Sequence, residues 1–310
     1  MHDVAVLGSL HLDIMVQAPD RPRRGETLAG TAWSQKCGGK GGNQAVEAAR
    51  HGARTAMIGA VGDDAFGVRL LANLRAAGVD ATQVAVRPGV GSGISVAIVD
   101  PGGDYGAVIV SGVNLTLDAA SVAAARAVIE GAAWLVLQQE VPDAANVAAA
   151  GIAHGAGCQV VLNAAPARPL SPALAGLVDV LVVNAVEAEM LGAGAVADLP
   201  QAAAAAAALL QSVPAAIVTA GGAGLAVARR DAPPVSLPGH AVTVAGTHGA
   251  GDALIGALAA RLAAGVALVA AAEYANAAAA TLVATPEAER AALTPAATAG
   301  LLQGRRGGAT

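Results

Sequence analysis

Between residues 118 and 219, short apolar segments alternate with segments of helical composition. Because parallel strands need crossover connections, which are usually helices, this alternation favours a parallel, doubly wound sheet. Val4–Leu7 adds an apolar run suited to a strand that is buried on both faces. We therefore expect an α/β fold, with a mostly parallel sheet flanked by helices. The segments predict strands at 134–138, 159–163, 179–183 and 215–219 and helices at 118–130, 143–155, 186–191 and 200–212.

The first third of the chain departs from this alternation and predicts a small β-sheet beside the main body. Strand-like pieces occur at Ile14–Gln17 and Thr27–Trp33, and two more, Ile94–Val99 and Ala107–Ser111, flank a Pro-Gly turn. We expect these lid strands, at about 13–35 and 93–112, to cover a site and exclude water from it.

Composition limits the possible functions of this 310-residue chain, which we expect to form one α/β domain over residues 1–310 with a flexible tail at 304–310. Aromatic residues make up 2% and the net charge is −5, which argues against nucleic acid as a partner. Charged residues and Gly265 interrupt the apolar stretch Ala250–Ala284, so it predicts two packed helices and no membrane span. The first residues lack the features of a signal peptide, and the two cysteines form no disulfide framework. We therefore expect a cytoplasmic location.

The motif Gly246-Thr-His-Gly-Ala-Gly-Asp252 precedes the apolar run Ala253–Ala264, whose composition predicts a buried helix. The first N–H groups of a helix lack internal partners, and the helix dipole there favours negative charge. Such a place suits a phosphate or a developing oxyanion. Asp252 would repel this anion unless it has a task, such as accepting a proton from an attacking hydroxyl. An acidic residue in the first turn of a helix is also common for structural reasons alone.

A second glycine-rich motif, Cys37-Gly-Gly-Lys-Gly-Gly-Asn43, leads into a helix predicted at Gln44–His51, and a strand is predicted at Thr55–Ala60. The motif lacks the Lys-Ser/Thr ending of a P-loop. Four glycines around one lysine nevertheless allow the backbone to approach a polar group closely.

Polar residues follow several of the predicted strands, beginning with His11 and Asp13 after the first one. Each alone is explained by a helix cap or a turn. Ligands of open α/β sheets bind beyond the carboxyl ends of the strands, however, so several polar residues at that edge favour a binding site. The other members of this set are Glu140, Asn163, Asn184, Glu187 and Thr219.

With these motifs the chain resembles the PfkB carbohydrate kinase family, in its ribokinase-like branch, over nearly its whole length. The strongest matches are Gly38–Asn43 and Gly249–Asp252, while 162–168 and 138–140 resemble the ribokinase-like branch in particular. The resemblance implies a ribokinase-like fold and an ATP-dependent sugar kinase that acts on a primary hydroxyl, with ribose as the first expected substrate. It also implies Mg²⁺ with ATP as cofactors.

The resemblance further implies roles for individual residues. Asp252 corresponds to the catalytic base, and the amides of Gly249, Ala250 and Gly251 correspond to an anion hole. Glu187 completes an Asn-x-x-Glu pattern that helps to place Mg²⁺, through water. The implied sugar-binding residues are His11, Asp13, Gly39, Lys40, Gly41, Asn43, Glu140 and Asp252. The implied nucleotide-binding residues are Asn184, Thr219, Gly221, Gly224, Gly251 and Asn276.

Two positions depart from the family pattern. Gly246 stands where ribokinase-like members carry an Asp that serves a monovalent cation, and residues 285–290 replace a Gly-Ala segment that supplies more of that site. Without the carboxylate, we expect activation by K⁺ to be weak or absent. His11 stands where these proteins carry Asn beside the sugar, and a neutral imidazole has one donor and one acceptor. Deoxyribose, another pentose and a modified hexose therefore remain alternatives to ribose.

Other functions stay open at this point. One is a nucleoside kinase of the same family, although one Phe and two Tyr offer few aromatic faces for a base. Another is a catalytically silent sugar- or nucleotide-binding protein, which the altered cation site indicates. A dehydrogenase is disfavoured, because no dinucleotide fingerprint follows the first strand. We expect a small sugar and ATP as ligands, and a homodimer formed through the lid sheet, because an uncovered sheet face favours a partner.

Overall fold

The computed structural model describes residues 2–102 and 104–307. The strands are β1 (Val4–Leu7), β2 (His11–Gln17), β3 (Ala32–Gly38), β4 (Thr55–Gly62), β5 (Asp80–Arg87), β6 (Gly93–Val99), β7 (Tyr105–Val110), β8 (Trp134–Gln138), β9 (Gln159–Asn163), β10 (Val180–Asn184), β11 (Ala215–Thr219), β12 (Gly224–Arg229) and β13 (Ala232–Pro238). The α-helices are α1 (Lys40–Arg50), α2 (Ala65–Ala76), α3 (Ala119–Ala124), α4 (Arg126–Glu130), α5 (Asp143–Ala156), α6 (Pro172–Ala175), α7 (Ala185–Met190), α8 (Leu199–Leu209), α9 (Ala250–Ala263), α10 (Leu268–Ala284) and α11 (Pro295–Gly307). Short 3₁₀ turns occur at Gly112–Thr116, Gly221–Ala223 and Glu287–Ala292.

The large sheet has nine strands in the order β13-β12-β11-β10-β9-β8-β1-β4-β5. The pairs from β11 through β1 to β5 are parallel, and only β12 and β13 join in antiparallel fashion. β1 lies between β8 and β4, so the strand order reverses at β1. In a doubly wound sheet a ligand binds beyond the carboxyl ends of the strands at such a reversal. The topology therefore directs attention to the residues that follow β1 and β8.

Alternate side chains of β1 enter two different cores, one on each face of the large sheet. Ala5 and Leu7 belong to one core, and Val4 and Val6 to the other, with all four fully buried. Burial of a Val or Leu side chain contributes about 1.5–3 kcal/mol, which explains why this short segment is a central strand. Within the described residues, no helix combines the length and the apolar character needed to span a bilayer.

A second sheet of four strands, the lid sheet, has the order β3-β2-β6-β7. Its strand β2 begins at His11, so only Gly8, Ser9 and Leu10 separate it from β1. Leu10 is fixed from both sides, because its N–H donates to Asn114 Oδ1 and its carbonyl accepts from Asn114 Nδ2, each at 2.9 Å. Asn114 lies in the 3₁₀ turn Gly112–Thr116, whose Val113 is buried in a core on one face of the large sheet, so this turn anchors the base of the lid sheet.

The predicted α/β class and the separate small sheet are confirmed, with differences at individual elements. Strand β1, and the strands predicted at 134–138, 159–163 and 215–219, have the predicted bounds. The helix predicted at 118–130 is two helices, α3 and α4, and the lid strands lie at 11–17, 32–38, 93–99 and 105–110. Residues 304–307 of the predicted tail belong to α11, and 308–310 lie outside the described residues.

Candidate active site

Helix α9 begins in a turn that exposes its first amides. Gly249 precedes it with φ of 83°, a left-handed conformation that glycine adopts without steric cost. The amide of Ala250 donates back to the Thr247 carbonyl at 3.2 Å, whereas the amides of Gly249 and Gly251 make no hydrogen bond within the described chain. These two N–H groups are therefore free to meet an anion, as the first amides of a helix often do.

The carboxylate of Asp252, in the first turn of α9, faces the glycine-rich segment. Asn43 Nδ2 donates to Asp252 Oδ2 at 2.9 Å, and Gln44 Nε2 donates to Asp252 Oδ1 at 3.0 Å. Gln44 Nε2 also donates to Asn163 Oδ1 at 3.1 Å, which links the pair to the end of β9. Burial raises the pKa of Asp252, while the Lys40 ammonium and the two amides oppose that rise. The carboxylate is thus held in a fixed orientation, as a general base requires.

The glycine-rich segment lies directly on the residues that follow β1. Gly39 has φ of 85°, and a Cβ there would lie 2.7 Å from the His11 amide nitrogen. A Cβ at Gly41 would lie 2.7 Å from the Gly8 backbone, so the two backbone segments are in direct contact, with no side chain between them. The Gly42 amide donates to the Ser9 carbonyl at 3.0 Å. This close approach brings the first turn of α1 to the carboxyl edge of the large sheet.

Three groups converge on the Glu140 carboxylate, after β8. The Lys40 amide donates to Glu140 Oε2 at 3.0 Å, and Ser9 Oγ donates to the same oxygen. His11 Nδ1 lies 3.9 Å from it. His11 is only 3% exposed, and its Nε2 has no partner among the described residues. Burial lowers the pKa of His11, and the charge of Glu140 opposes this change. A largely neutral imidazole with an unpaired nitrogen therefore lies next to Glu140.

Asp13 occupies the next position on the same face of β2. Its carboxylate lies over Gly38, where a Cβ would be 2.1 Å from Asp13 Oδ2. Burial raises the pKa of Asp13 to about 6, and Lys36 opposes this rise, whereas Glu140 and Asp252 add to it. Asp13, Glu140 and Asp252 are therefore close enough for their negative charges to interact.

Asn184 and Glu187 form a capping box at the start of α7. Glu187 N donates to Asn184 Oδ1 at 2.9 Å, and Asn184 N donates to Glu187 Oε2 at 2.8 Å. Asn184 is paired in register with Thr219, so both lie at the same edge of the sheet. Burial raises the pKa of Glu187, and the Lys40 charge opposes this rise. Lys40 thus acts electrostatically on both Glu187 and Asp252.

The other positions assigned to the nucleotide lie farther along this edge and have structural contacts of their own. Gly221 begins an exposed 3₁₀ turn after β11. Gly224 packs against the end of β13, since a Cβ there would be 2.2 Å from the Leu237 carbonyl oxygen. Asn276 Nδ2 donates to the Pro238 carbonyl at 3.0 Å and fixes the same end. These contacts fix the end of β13 against α10 and the turn before β12.

The donor set fits a magnesium ion that is held mainly by phosphate and water. Within the described part of the chain, no three His, Cys, Asp or Glu side chains gather as a metal cluster. Mg²⁺ commonly uses one or two carboxylates, with substrate phosphates and water as the remaining ligands. Glu187 is a half-buried carboxylate near enough to Lys40 and Asp252 for their charges to act on its pKa.

The structure adds two residues to the site that the sequence analysis did not include. Gln44 orients Asp252, and Ser9 bonds Glu140. Gln44 directly follows Asn43 of the glycine-rich motif, and this position next to a predicted site residue is the available signal. The sequence gives no comparable signal for Ser9, because its partner Glu140 is 131 positions away along the chain.

Comparisons with known proteins identify the family to which the chain belongs. The sequence profile described as pfkB family carbohydrate kinase matches residues 1–295. The chain is 35% identical to the ribokinase of Mus musculus over 263 residues, covering 84% of this chain and 81% of that protein. It is 34% identical to the deoxyribokinase of Salmonella typhi over 259 residues, covering 83% and 84%. The structure of Arabidopsis thaliana ribokinase complexed with ribose and ATP superposes with a TM-score of 0.90 at 26% identity, covering 97% and 99%.

The fold and the site thus define a phosphotransferase that acts on carbohydrates. The chain belongs to the pfkB family of carbohydrate kinases, and its relatives place it in the ribokinase-like part of that family.

Proposed function

We propose that this protein is an ATP-dependent sugar kinase that phosphorylates the primary hydroxyl of ribose and yields ribose 5-phosphate. The observation that carries the proposal is the Asp252 carboxylate, held by Asn43 and Gln44 beside the free amides of Gly249 and Gly251. The match to ribokinases supports ribose as the substrate. Of the alternatives, a nucleoside kinase receives less support, because the described site residues include no aromatic side chain to stack on a base.

In the proposed reaction, Asp252 accepts the proton of the sugar hydroxyl as its oxygen attacks the γ-phosphorus. The new O–P bond forms while the bond to the β-phosphate oxygen breaks, so ADP leaves and the proton stays on Asp252. The amides of Gly249 and Gly251 stabilise the charge on the migrating phosphoryl group. The amide of Ala250, between them, donates to the Thr247 carbonyl in the free protein and would have to exchange this bond to take part. The raised pKa of Asp252 suits this role, because a base works best with a pKa nearer the operating pH.

The two ends of the site bind different substrates in this proposal. His11, Asp13, Gly39, Lys40, Gly41, Asn43 and Glu140 hold the sugar. Asn184, Thr219, Gly221, Gly224, Gly251 and Asn276 line the nucleotide. Mg²⁺, reached by Glu187 through water, would neutralise phosphate charge when it is bound. The Lys40 charge, which acts on Asp252 and Glu187, lies between the two ends.

Replacement of the base tests the proposal. Asp252→Asn keeps the size of the side chain and removes the proton acceptor, so we expect kcat to fall by about 10²–10⁴-fold with little change in sugar or ATP binding. The measurement is ADP release with ribose, together with calorimetric titration of ribose and ATP. Asp143→Asn, in the first turn of α5, is the matched control and should retain full activity.

An Asp252→Asn variant with near-normal kcat would show that Asp252 is not the base. A wild-type protein that binds ribose or ATP but is inert with every sugar and nucleoside in a panel would instead favour the catalytically silent binding protein.

Deoxyribose is a second candidate substrate, favoured by one observation. The deoxyribokinase of Salmonella typhi matches about as well as the ribokinase of Mus musculus. The two sugars differ by one hydroxyl, and a site that pairs with a hydroxyl strongly rejects the sugar that lacks it. The unpaired Nε2 of His11 is a buried group that such a hydroxyl could satisfy. The ratio of kcat/KM for ribose and 2-deoxyribose in the same assay decides between them.

We also propose a homodimer formed through the lid sheet. Val16 is paired in register with Trp33 and with Ile98, and Val96 is paired with Val108. Because strand side chains alternate, these five residues share one face, opposite to Asp13. Trp33 and Val108 are each 68% exposed. A second copy of the chain would cover this apolar face and leave the Asp13 face directed to the sugar.

A further inference from the structure

Arg290, in the 3₁₀ turn Glu287–Ala292, is a buried cation that points at the loop before α9. It is 8% exposed, and its guanidinium donates to three backbone carbonyls. Nη2 bonds the Gly246 oxygen at 2.7 Å, Nη1 bonds the His248 oxygen at 2.8 Å, and Nε bonds the Thr285 oxygen at 3.0 Å. Converging carbonyl oxygens are also how proteins replace the hydration shell of a bare monovalent cation.

The absence of a side chain at Gly246 makes room for this group. A Cβ at Gly246 would lie 3.1 Å from Arg290 Nη2. A longer side chain there would compete with the guanidinium for the same space. The glycine at 246 and the arginine at 290 are therefore two parts of one arrangement, in which the positive charge is supplied by the chain itself.

The loop that Arg290 holds ends in the turn with the free amides. Two of its three acceptors, Gly246 and His248, lie within the three residues before Gly249. The start of this loop is fixed as well, because the amides of Ala245 and Gly246 donate to the Val283 carbonyl at 2.8 and 3.2 Å. Arg290 therefore bonds the loop directly before the turn that carries the Gly249 and Gly251 amides.

The same 3₁₀ turn also contacts the lid sheet. Lys36 Nζ, on β3, lies 2.8 Å from Glu287 Oε1. The Lys36 hydrogen bond lowers the pKa of Glu287, and the Arg290 charge adds to this effect. One short turn thus touches both the sheet that covers the sugar end and the loop that leads to α9.

We propose that Arg290 is a positioning residue that acts as a built-in monovalent cation. Its guanidinium holds residues 246–248 so that the α9 amides face the transferred phosphoryl group, and it makes the reaction independent of added K⁺. This inference rests on the proposed kinase function.

The first test compares Arg290→Ala with wild type at constant ionic strength. We expect kcat to fall by about 10–100-fold, since charge-assisted hydrogen bonds are lost, with KM for ribose changed less than threefold. Guanidinium at non-denaturing concentration should restore part of the kcat, and Arg290→Lys should lie between Arg290→Ala and wild type. Arg230→Ala is the matched control, because Arg230 Nε also bonds a backbone carbonyl, that of Leu210, at the opposite edge of the sheet. It should retain full activity.

The second test rebuilds an ion site. Gly246→Asp combined with Arg290→Ala replaces the fixed charge by a carboxylate, and we expect this double variant to be activated several-fold by K⁺ while wild type is not. Strong activation of wild type by K⁺ would overturn the inference. So would a kcat for Arg290→Ala within twofold of wild type, or a lowered kcat that neither guanidinium nor Arg290→Lys improves.

A third measurement separates this inference from the kinase proposal. Hydrogen–deuterium exchange of residues 245–252, without substrates, should be faster in Arg290→Ala than in wild type and unchanged in Arg230→Ala. If wild type phosphorylates no sugar but shows this pattern, the kinase proposal fails and the positioning role of Arg290 stands. Unchanged exchange in Arg290→Ala would contradict the positioning role, whatever the activity.

Discussion

Asp13 combines a proposed role in sugar binding with a cost in stability. Its folded-state pKa of about 6 lies above the ordinary value of 3.8, because burial disfavours the charged carboxylate. Between these two values the folded protein keeps a proton that the unfolded chain has released. The contribution of Asp13 to stability therefore falls as the pH rises through this window. A buried carboxylate that costs stability at neutral pH is expected to bind a ligand. In the proposed function this ligand is a hydroxyl group of the sugar.

Asp13→Asn should stabilise the free protein at neutral pH and weaken sugar binding. We expect its free energy of unfolding to exceed that of wild type by on the order of 1 kcal/mol or more above pH 6, after allowance for solvent screening. The difference should shrink as the pH falls toward 4. Denaturant unfolding at several pH values measures this, with ribose titration alongside. A pH-independent difference would show that the Asp13 pKa is not raised.

The site residues differ in how far the sequence alone could predict them. Asp252 and Asn43 lie in glycine-rich motifs, so their chemistry was visible before their 2.9 Å contact was known. Gln44 and Arg290 were not predicted as site residues, because their roles depend on partners that only the folded chain brings within reach. A buried arginine with backbone acceptors leaves no pattern in the sequence near it.

At the scale of elements, the crossing of α1 and α9 positions the Asp252 carboxylate, the proposed base. Gly256 lies at this crossing, where a Cβ would be 2.4 Å from the Glu47 Cβ and 2.7 Å from the Ala48 amide nitrogen. The two helices can approach only because position 256 has no side chain. This approach brings Asn43 and Gln44 to Asp252, one turn earlier on α9.

Gly256→Ala should separate α1 from α9 and disturb the base. We expect a loss of stability of about 1–3 kcal/mol from overpacking, with a fall in kcat larger than the change in KM. The readouts are thermal unfolding and ADP release. Gly151→Ala in α5 is the matched control, because its Cβ would meet nothing within 4 Å, and it should be neutral or stabilising. Equal behaviour of the two variants would show that the close crossing does not matter.

The elements predicted with the correct bounds are those whose apolar composition indicates that they are buried. The four strands with the predicted bounds are short apolar runs in the middle of the sheet. In contrast, β5, β12 and β13 were not predicted. β5 and β13 are the edge strands of the large sheet and carry polar residues or prolines, whereas β12 is a short buried strand beside β13. Helix α1 begins four residues before the predicted start, inside the glycines, since contact with Gly8 outweighs their poor helix propensity.

At the scale of the whole molecule, the apolar face of the lid sheet predicts association of two copies. Val108→Glu places a charge at an exposed position of that face, so we expect it to convert a dimer into a monomer in sedimentation velocity. Val68→Glu, on α2, is the matched control, because Val68 is 70% exposed and lies outside the lid sheet. A wild-type protein that sediments as a monomer at every concentration would exclude the dimer.

The anchored base of the lid sheet has a consequence for how the enzyme meets its sugar. With Leu10 hydrogen-bonded on both sides by Asn114, the strand carrying His11 and Asp13 cannot swing as a free flap. Any opening must come from bending of the outer half of the strands, beyond Asp13. We therefore expect the floor of the pocket to be ready before the substrate arrives. Recognition would then require little reorganisation of the groups that choose between one pentose and another.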